Sequence, residues 1–250
     1  MNATTGSNVI ASDATPASDV MERLRAATQS AHAAAEAHPF QAALASGALP
    51  RGQYIAYLGQ LLHVHRALER SLRELVARRP ELAVVISDEQ FQEPNLRTDL
   101  AHFGVDADQV PPAPATAALR ARIEHAARET PLALLGYHYV LEGSKNGGRF
   151  IARRIAPAYG LTAEGPGLRY FDPHGAAQRD KWRAFREAMS ALPWQEQEQS
   201  LMTASATEMF AAVSAIGDDV LAGRSTGSGP AAGRGCPVHH DSHRTSACTP

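Results

Sequence analysis

Apolar residues recur along almost the whole chain at the spacing of an amphipathic helix, and this pattern constrains the fold more than any other feature. Between Arg51 and Arg78, one set of side chains recurs at steps of three and four residues: Tyr54, Leu58, Leu61, His65, Leu68, Leu72 and Leu75. Such steps place every member on one face of a long helix, with His65 as a core histidine. The one strand-like run is the short AVVI at 83–86. The sequence therefore predicts an all-α protein.

Similar spacing predicts further helices on both sides of this one. The first runs from Asp19 to Ala37, with Asp19 as its N-cap. The His38-Pro39 pair ends it, because a residue that precedes proline avoids helical dihedral angles. The other predicted helices cover residues 88–103, 114–128, 131–156, 175–191 and 194–221. These segments together predict a bundle of six to eight helices.

The two ends of the chain differ in composition from the helical part. Residues 1–19 are rich in Ser, Thr, Ala and Asn, and residues 223–250 begin with a Gly- and Ser-rich stretch. Chains of this composition bury too little apolar surface to become ordered. We therefore expect a disordered N-terminal segment, a helical domain over residues 20–222 and a flexible tail.

Charge and cysteine content exclude several classes of protein. The 24 Lys and Arg residues nearly balance the 26 Asp and Glu residues, so the net charge of −2 provides no field for a nucleic acid or an anionic membrane. The first residues lack the pattern of a secretory signal, and no apolar run approaches the length of a membrane helix. Both cysteines, Cys236 and Cys248, lie in the tail, so neither a disulfide framework nor a thiolate nucleophile is expected in the domain. These features predict a cytoplasmic protein.

Glycines interrupt one of the predicted helices. The segment LLGYHYVLEGSKNGGRFIARRI at 134–155 has helical spacing on both sides of Gly143, Gly147 and Gly148. Each glycine costs about 1 kcal/mol relative to alanine inside a helix, so some other interaction must offset this cost. One interpretation is a helix end followed by a turn. The other is a kinked helix whose bare backbone, at Gly143 and Gly147 on one face, lies against a flat ligand.

The first helix carries a polar face with small neighbours. In LRAATQSAHAAAEAHPF, a cation, a hydroxyl, an imidazole and a carboxylate recur at steps of three and four residues: Arg25, Thr28, His32 and Glu36. The surrounding alanines leave space beside the imidazole. A single histidine on a helix is most often structural or exposed, so this helix alone does not establish a site.

Taken together, these segments resemble the heme oxygenase family, and in particular its bacterial biliverdin-producing branch. LRAATQSAHAAAEAHPF is similar to the proximal helix that carries the axial histidine, and YVLEGSKNGG is similar to the bacterial distal-helix motif. The resemblance continues through YIAYLGQLLHVHRALE, GLRYFDPHG, KWRAFREAM and ATEMF, and it covers roughly residues 20–220. It implies an all-α heme oxygenase-like bundle with a kinked, glycine-rich distal helix.

The resemblance also implies an activity. Members of this family cleave heme to biliverdin with release of carbon monoxide and ferrous iron, so heme is both substrate and cofactor. Dioxygen is consumed, and the electrons come from an external reductase or ferredoxin. No bound flavin or nucleotide is expected here, because no GxGxxG motif follows a strand.

Individual residues receive roles from the same resemblance. His32 becomes the axial iron ligand, and Glu36 becomes the hydrogen-bond partner of its other ring nitrogen. The catalytic part of the distal helix is implied to comprise Gly143, Ser144 and Gly147. The remaining residues implied to contact heme are Arg25, Thr28, Tyr139, Gly148, Arg183 and Arg186. Among these, the arginines and the tyrosine are the implied partners of the two propionates.

Three positions depart from the family pattern. Ser144 stands where the mammalian branch carries an aspartate, and Asn146 stands where bacterial relatives carry an aliphatic residue. His174, in the FDPHG segment, replaces a more usual aromatic residue. The resemblance therefore does not imply which meso carbon is cleaved.

Two alternatives stay open. A non-catalytic heme carrier or sensor would need the same pocket as the enzyme. The tail segment GCPVHHDSH places Cys236 near His239 and His240, which resembles a heme regulatory motif or a zinc or nickel site, but a histidine-rich end without a function has the same composition. A di-iron oxidase is disfavoured, because Asp99-x-x-His102 is the one near match to a Glu-x-x-His pair.

Overall fold

The computed structural model describes residues 19–162 and 165–224. Over these residues the chain forms eight α-helices, with three short 3-10 helices between them and no strand. The α-helices are α1 (Val20–Glu36), α2 (Pro39–Ser46), α3 (Arg51–Arg78), α4 (Glu93–His102), α5 (Pro114–Glu129), α6 (Ala133–Tyr159), α7 (Gln178–Ala191) and α8 (Glu196–Leu221). The all-α prediction and the predicted number of helices are confirmed.

The observed helices differ from the predicted ones most clearly at two places. The first predicted helix does end at His38-Pro39, but α2 begins at the same point, with Pro39 at its first position and His38 as its N-cap. The His38 Nδ1 atom accepts a hydrogen bond from the Phe40 amide at 3.3 Å. Proline is favoured at the first helical position, and a helix of 8 residues is too short to show a period. The segment predicted at 88–103 is divided into a 3-10 turn, Asp88–Gln90, and α4.

The core is built on α3, α6 and α8. Every residue of the α3 stripe is at most 4% exposed, including His65. Helix α8 packs extensively along both α6 and α1. Helices α6 and α8 approach each other closely at Gly136, where an added Cβ would lie 2.1 Å from the Met202 carbonyl oxygen and from Ser205 Oγ. The backbones of α6 and α8 therefore meet at a distance that only glycine permits.

A buried carboxylate fixes the loop that follows α6. Asp99, in α4, accepts hydrogen bonds from the backbone amides of Gly167 at 2.7 Å, Arg169 at 3.1 Å and Tyr170 at 2.9 Å. Burial raises the pKa of Asp99, and these three donors oppose the shift by stabilising the carboxylate. The Tyr54 hydroxyl also donates to the Gly167 carbonyl at 2.6 Å. The loop is thereby held against α4 and α3.

Paired polar groups lie beneath α6, on the side that faces α3 and α4. His65 Nδ1 lies 2.9 Å from Glu69 Oε1. The same carboxylate oxygen accepts a hydrogen bond from the backbone N–H of Gln92 at 2.6 Å. Lys145 forms an ion pair with Glu142 and donates to the Gln90 carbonyl at 2.7 Å. Because all these charged groups are buried, their pairing is needed to offset the cost of desolvation.

Some expectations concern residues outside the described part. The structure describes neither residues 1–18 nor residues 225–250, so the tail cluster of Cys236, His239 and His240 lies outside the described residues. Within the described residues, no helix has both the length and the apolar character needed to cross a membrane.

The contact at Gly136 generates a prediction about stability. We expect Gly136→Ala to lower the free energy of unfolding by roughly 1–3 kcal/mol, because the added Cβ overpacks the α6–α8 contact. Urea denaturation measures the change. Gly52→Ala is the matched control: it lies in the first turn of α3 with no atom within 4 Å of its added Cβ, so it should be neutral or slightly stabilising. Equal stability of the two variants would contradict the packing argument.

Burial of His138 generates a prediction about pH. Desolvation, followed by the charges of Lys145 and His65, lowers the pKa of His138 from 6.5 to about 3. Between these values the unfolded chain binds a proton that the folded chain does not bind, so the free energy of unfolding falls as the pH is lowered through this window.

His138→Gln should therefore reduce the slope of unfolding free energy against pH by about 1.4 kcal/mol per pH unit within this window, as measured by urea denaturation from pH 6.5 downward. His125→Gln, at an exposed position of α5, should leave the slope unchanged. A parallel pH profile for His138→Gln and the wild type would show that the imidazole is not buried in its neutral form.

Candidate functional site

Two adjoining cavities, each of about 580 Å³, occupy the space between α1 and α6. Extensive packing joins α8 to each of these two helices, so that α8 separates them and forms the floor of the gap. Residues from α1, α6 and α8 line both cavities: His32, Val140, Gly143, Ser144, Asn146 and Phe210. The two cavities thus form one site that is centred on His32 and Gly143.

The first cavity, here called the polar cavity, lies toward the N-terminal end of α1. Its distinctive lining residues are Glu22, Arg25, Gln29, Tyr139 and Trp182. Helix α7 packs against both α1 and α6 at this end and supplies the indole. A cation, a phenol and an indole therefore surround this part of the site.

The second cavity, here called the apolar cavity, extends toward α2. Its apolar lining includes Leu44, Leu61, Ile151, Phe171 and Val213. The polar residues Glu36, Gln41, Tyr57, Lys145 and Tyr170 also line this cavity. Tyr170 and Phe171 come from the loop that Asp99 holds in place, so the distant carboxylate positions part of the wall.

His32 lies on the α1 side of the site. Its side chain is 57% exposed, since the ring borders the open cavities, and its edge packs against Phe210 with 5.5 Å between ring centroids. Its Nδ1 atom lies 3.5 Å from Glu36 Oε2, one helical turn further on. Within the described part of the chain, no hydrogen bond engages its Nε2 atom, which leaves that nitrogen available as a ligand.

Helix α6 forms the opposite wall and remains helical through its glycines. It is continuous from Ala133 to Tyr159, so the interpretation of this segment as a helix end with a turn is wrong. A Cβ added at Gly147 would meet no atom within 4 Å, whereas one added at Gly143 would lie 3.5 Å from Trp182 Cη2. At Gly148 the added Cβ would lie 2.1 Å from the Phe171 carbonyl oxygen. Gly147 therefore leaves space in the site, while Gly148 allows the loop to pack on α6.

The polar side chains of this wall form hydrogen bonds within α6, and Asn146 also bonds to α7. Ser144 Oγ donates to the Leu141 carbonyl at 2.7 Å. Asn146 Nδ2 donates to the Gly143 carbonyl at 3.0 Å, and its Oδ1 atom accepts from Gln178 at 3.4 Å. The oxygen of Ser144 keeps a lone pair that can accept a further hydrogen bond.

The structure brings together most of the residues that the sequence singled out. Arg25, Thr28 and Tyr139 line the polar cavity, and Glu36, Gly147 and Gly148 line the apolar cavity. The Thr28 hydroxyl, however, donates to the Leu24 carbonyl at 2.7 Å and is buried.

Two of the predicted residues lie apart from the site. Arg183 is exposed and pairs with Asp180 at 2.9 Å on its own helix, and Arg186 is also exposed. Neither arginine lines a cavity. The residue of α7 that does so, Trp182, was missed. The sequence feature that could have indicated Trp182 is its spacing from Phe185 and Met189, because residues three and four apart mark the inward face of α7.

The arrangement favours one kind of ligand. An imidazole stands on one wall and bare helix backbone on the other, with apolar side chains toward α2 and a guanidinium toward α7. A flat and largely apolar molecule that carries a metal at its centre and anionic groups at one edge matches this distribution. Among the described residues, no cluster of three or more His, Cys, Asp or Glu side chains could hold a metal ion by itself.

Comparisons with known proteins point to one family. The family model described as heme oxygenase matches residues 18–217. The heme oxygenase 1 of Pongo abelii is 27% identical over 178 residues, a match that covers 70% of this chain and 62% of that protein. The chain thus spans less than two thirds of the curated relative.

Two solved heme oxygenase structures have the same fold as this chain. Heme oxygenase from Leptospira interrogans has a TM-score of 0.74 and 25% identity, and the match covers 80% of this chain and 99% of that one. Heme oxygenase-1 from the cyanobacterium Synechocystis sp. PCC6803, solved in complex with heme, has a TM-score of 0.75 at 20% identity, with 82% and 94% covered. From the family match over residues 18–217 and this fold, we conclude that the chain belongs to the heme oxygenase family.

Proposed function

We propose that this protein binds heme between α1 and α6 and cleaves it with dioxygen to biliverdin, carbon monoxide and ferrous iron. The observation that carries the proposal is the placement of His32 and the glycine-containing face of α6 on opposite walls of one site. Bound heme supplies the redox-active iron and the porphyrin that is itself oxidised. The residues of the chain bind, orient and shield it.

His32 is the proposed axial ligand. Its Nε2 atom takes part in no hydrogen bond among the described residues, while Nδ1 lies near the Glu36 carboxylate, 3.5 Å away. A carboxylate near Nδ1 favours a proton on that nitrogen and leaves Nε2 free to bind a metal. Glu36 thus acts through the imidazole by holding its tautomer and its orientation.

The opposite wall provides room for small molecules. Gly143 and Gly147 present no side chain to the site, and the space beside Gly147 is open. A molecule as small as dioxygen or water fits there. Ser144 and Asn146, which line both cavities, place polar atoms next to this space and can hold a water in position.

The polar cavity is the proposed place of the propionates. Arg25 lines it together with Tyr139, so a carboxylate there has a cation and a phenol within the same part of the site. Arg183 and Arg186 stay predictions without support from this geometry. Electrons are proposed to come from a separate reductase or ferredoxin, and the proposed location is the cytoplasm.

The axial ligand can be tested by His32→Ala. We expect the variant to lose the spectrum of an imidazole-bound ferric heme and to produce biliverdin roughly 100-fold more slowly, since the ligand that holds the iron is gone. Added imidazole should restore part of the spectrum. The measurement is the Soret band of the hemin complex, followed by product absorption after a reductant is added.

His125→Ala is the control, because His125 lies exposed on α5, outside both cavities. Unchanged binding and turnover in His32→Ala would contradict the proposed ligand. A wild-type complex that keeps its heme intact under dioxygen and reductant would instead identify a carrier or sensor.

Two adjacent glycines of α6 have different roles: Gly147 leaves space for the ligand, and Gly148 permits the packing of Phe171 on the helix. Gly147→Ala should leave the melting temperature unchanged or slightly higher, and it should weaken hemin binding, because its methyl group enters the cavity. Gly148→Ala should lower the melting temperature, because its methyl group collides with the Phe171 carbonyl. Thermal melts of the apoprotein and hemin titrations distinguish the two variants. If instead Gly147→Ala lowered the melting temperature and Gly148→Ala weakened hemin binding, α6 would present a different face to the site.

A further inference from the structure

Helix α7 closes one end of the gap between α1 and α6. It packs against both helices, so a side chain that reaches inward from α7 stands at the end wall of the site. Trp182 is the residue of α7 that lines a cavity. The opposite end is closed by α2, which packs on α6 and α8 and contributes Leu44 to the apolar cavity.

The indole of Trp182 is held on several sides. It stacks on Phe185 at 5.4 Å with an interplanar angle of 16°, and Tyr139 lies against it at 5.8 Å. Phe185 is only 4% exposed and packs in turn on His138 at 5.6 Å. The outer edge of the indole points toward Gly143, where an added Cβ would stand 3.5 Å from Cη2. Trp182 is therefore a fixed part of the wall.

A single axial ligand leaves one degree of freedom undetermined. Coordination by His32 would hold the iron of a bound heme, but it would leave rotation of the porphyrin about the iron–nitrogen bond to be fixed by other contacts. Contacts at the rim of the porphyrin must therefore select one in-plane orientation. Near the rim at the polar end, Gly143 has no side chain, while Ala26 offers only a methyl group. Three aromatic rings line this end, those of Tyr139, Phe210 and Trp182. Among them the indole is the one that stands on the end wall formed by α7, fixed between Phe185 and the α6 backbone at Gly143.

We propose that Trp182 sets the in-plane orientation of the bound porphyrin and thereby determines which meso carbon is cleaved. This inference rests on the proposed function. The indole acts as a steric stop at one end, and Leu44 bounds the ligand at the other. Trp182 is thus a residue that determines specificity in the oxidation, and it is one that the sequence analysis did not identify.

The test compares Trp182→Phe and Trp182→Ala with a matched control, Trp194→Phe. Trp194 follows α7, donates from Nε1 to the Met189 carbonyl at 2.7 Å and lies outside both cavities. Two readouts are needed. Proton NMR of the ferric heme complex resolves the hyperfine-shifted heme methyl groups, whose pattern reports the in-plane orientation without turnover. Chromatography of the biliverdin isomers reports the position of cleavage.

We expect Trp182→Ala to change the ratio of in-plane orientations, and with it the ratio of biliverdin isomers, by roughly tenfold. Trp182→Phe keeps an aromatic group and should produce a smaller change of the same kind, while Trp194→Phe should match the wild type. Trp182→Phe also keeps the test valid if Trp182→Ala does not fold, which circular dichroism of the apoprotein would show.

Unchanged methyl patterns and isomer ratios in folded, heme-binding Trp182 variants would overturn the proposal. A change of equal size in Trp194→Phe would also overturn it, because the effect would then not come from the wall of the cavity. Failure of the proposed function looks different. If the wild type did not bind hemin, both proposals would be overturned. If it bound hemin without cleaving it, only the proposed function would fail, and the NMR pattern would still decide whether Trp182 sets the orientation.

Discussion

The site depends on the packing of two helices against a third. Helices α1 and α6 both lie along α8, so the space between them stays open while their positions remain fixed. The approach of α6 to α8 is limited by the absence of a side chain at Gly136. A wider α6–α8 contact would move the wall that carries Gly143 and Gly147. The dimensions of the gap therefore depend on a contact at Gly136, which lies two turns before Gly143 on the same face of α6.

The sequence predicted the parts of the site that repeat with a helical period. The face that carries Arg25, His32 and Glu36 could be identified from its spacing, and the resemblance to a family supplied the role of the imidazole. The spacing of Trp182, Phe185 and Met189 marks the inward face of α7, but it does not predict that Trp182 reaches the site, because this depends on how α7 crosses α1 and α6. Asp99 was also missed, since its three backbone partners lie about 70 residues further along the chain.

Buried charge beneath α6 restricts how that helix can sit. Glu142 and Lys145 satisfy each other, and Lys145 also reaches the Gln90 carbonyl between α3 and α4. Burial raises the pKa of Glu142, while the neighbouring ammonium opposes the shift. A rotation of α6 by one residue would keep this pair, since both members belong to the same helix, but it would move Lys145 away from the Gln90 carbonyl. The bond to Gln90 therefore favours the observed rotation of α6, and with it the set of residues that line the cavities.

The partial exposure of His32 has a kinetic consequence. An imidazole that is 57% accessible before any ligand arrives lies within reach of bulk solvent. Capture of a planar guest can then proceed sideways through the slot, without breaking helix–helix contacts. Under the proposed function, the ring-opened product would no longer be flat. If it left by the route through which heme entered, its exit would place the larger steric demand on that route.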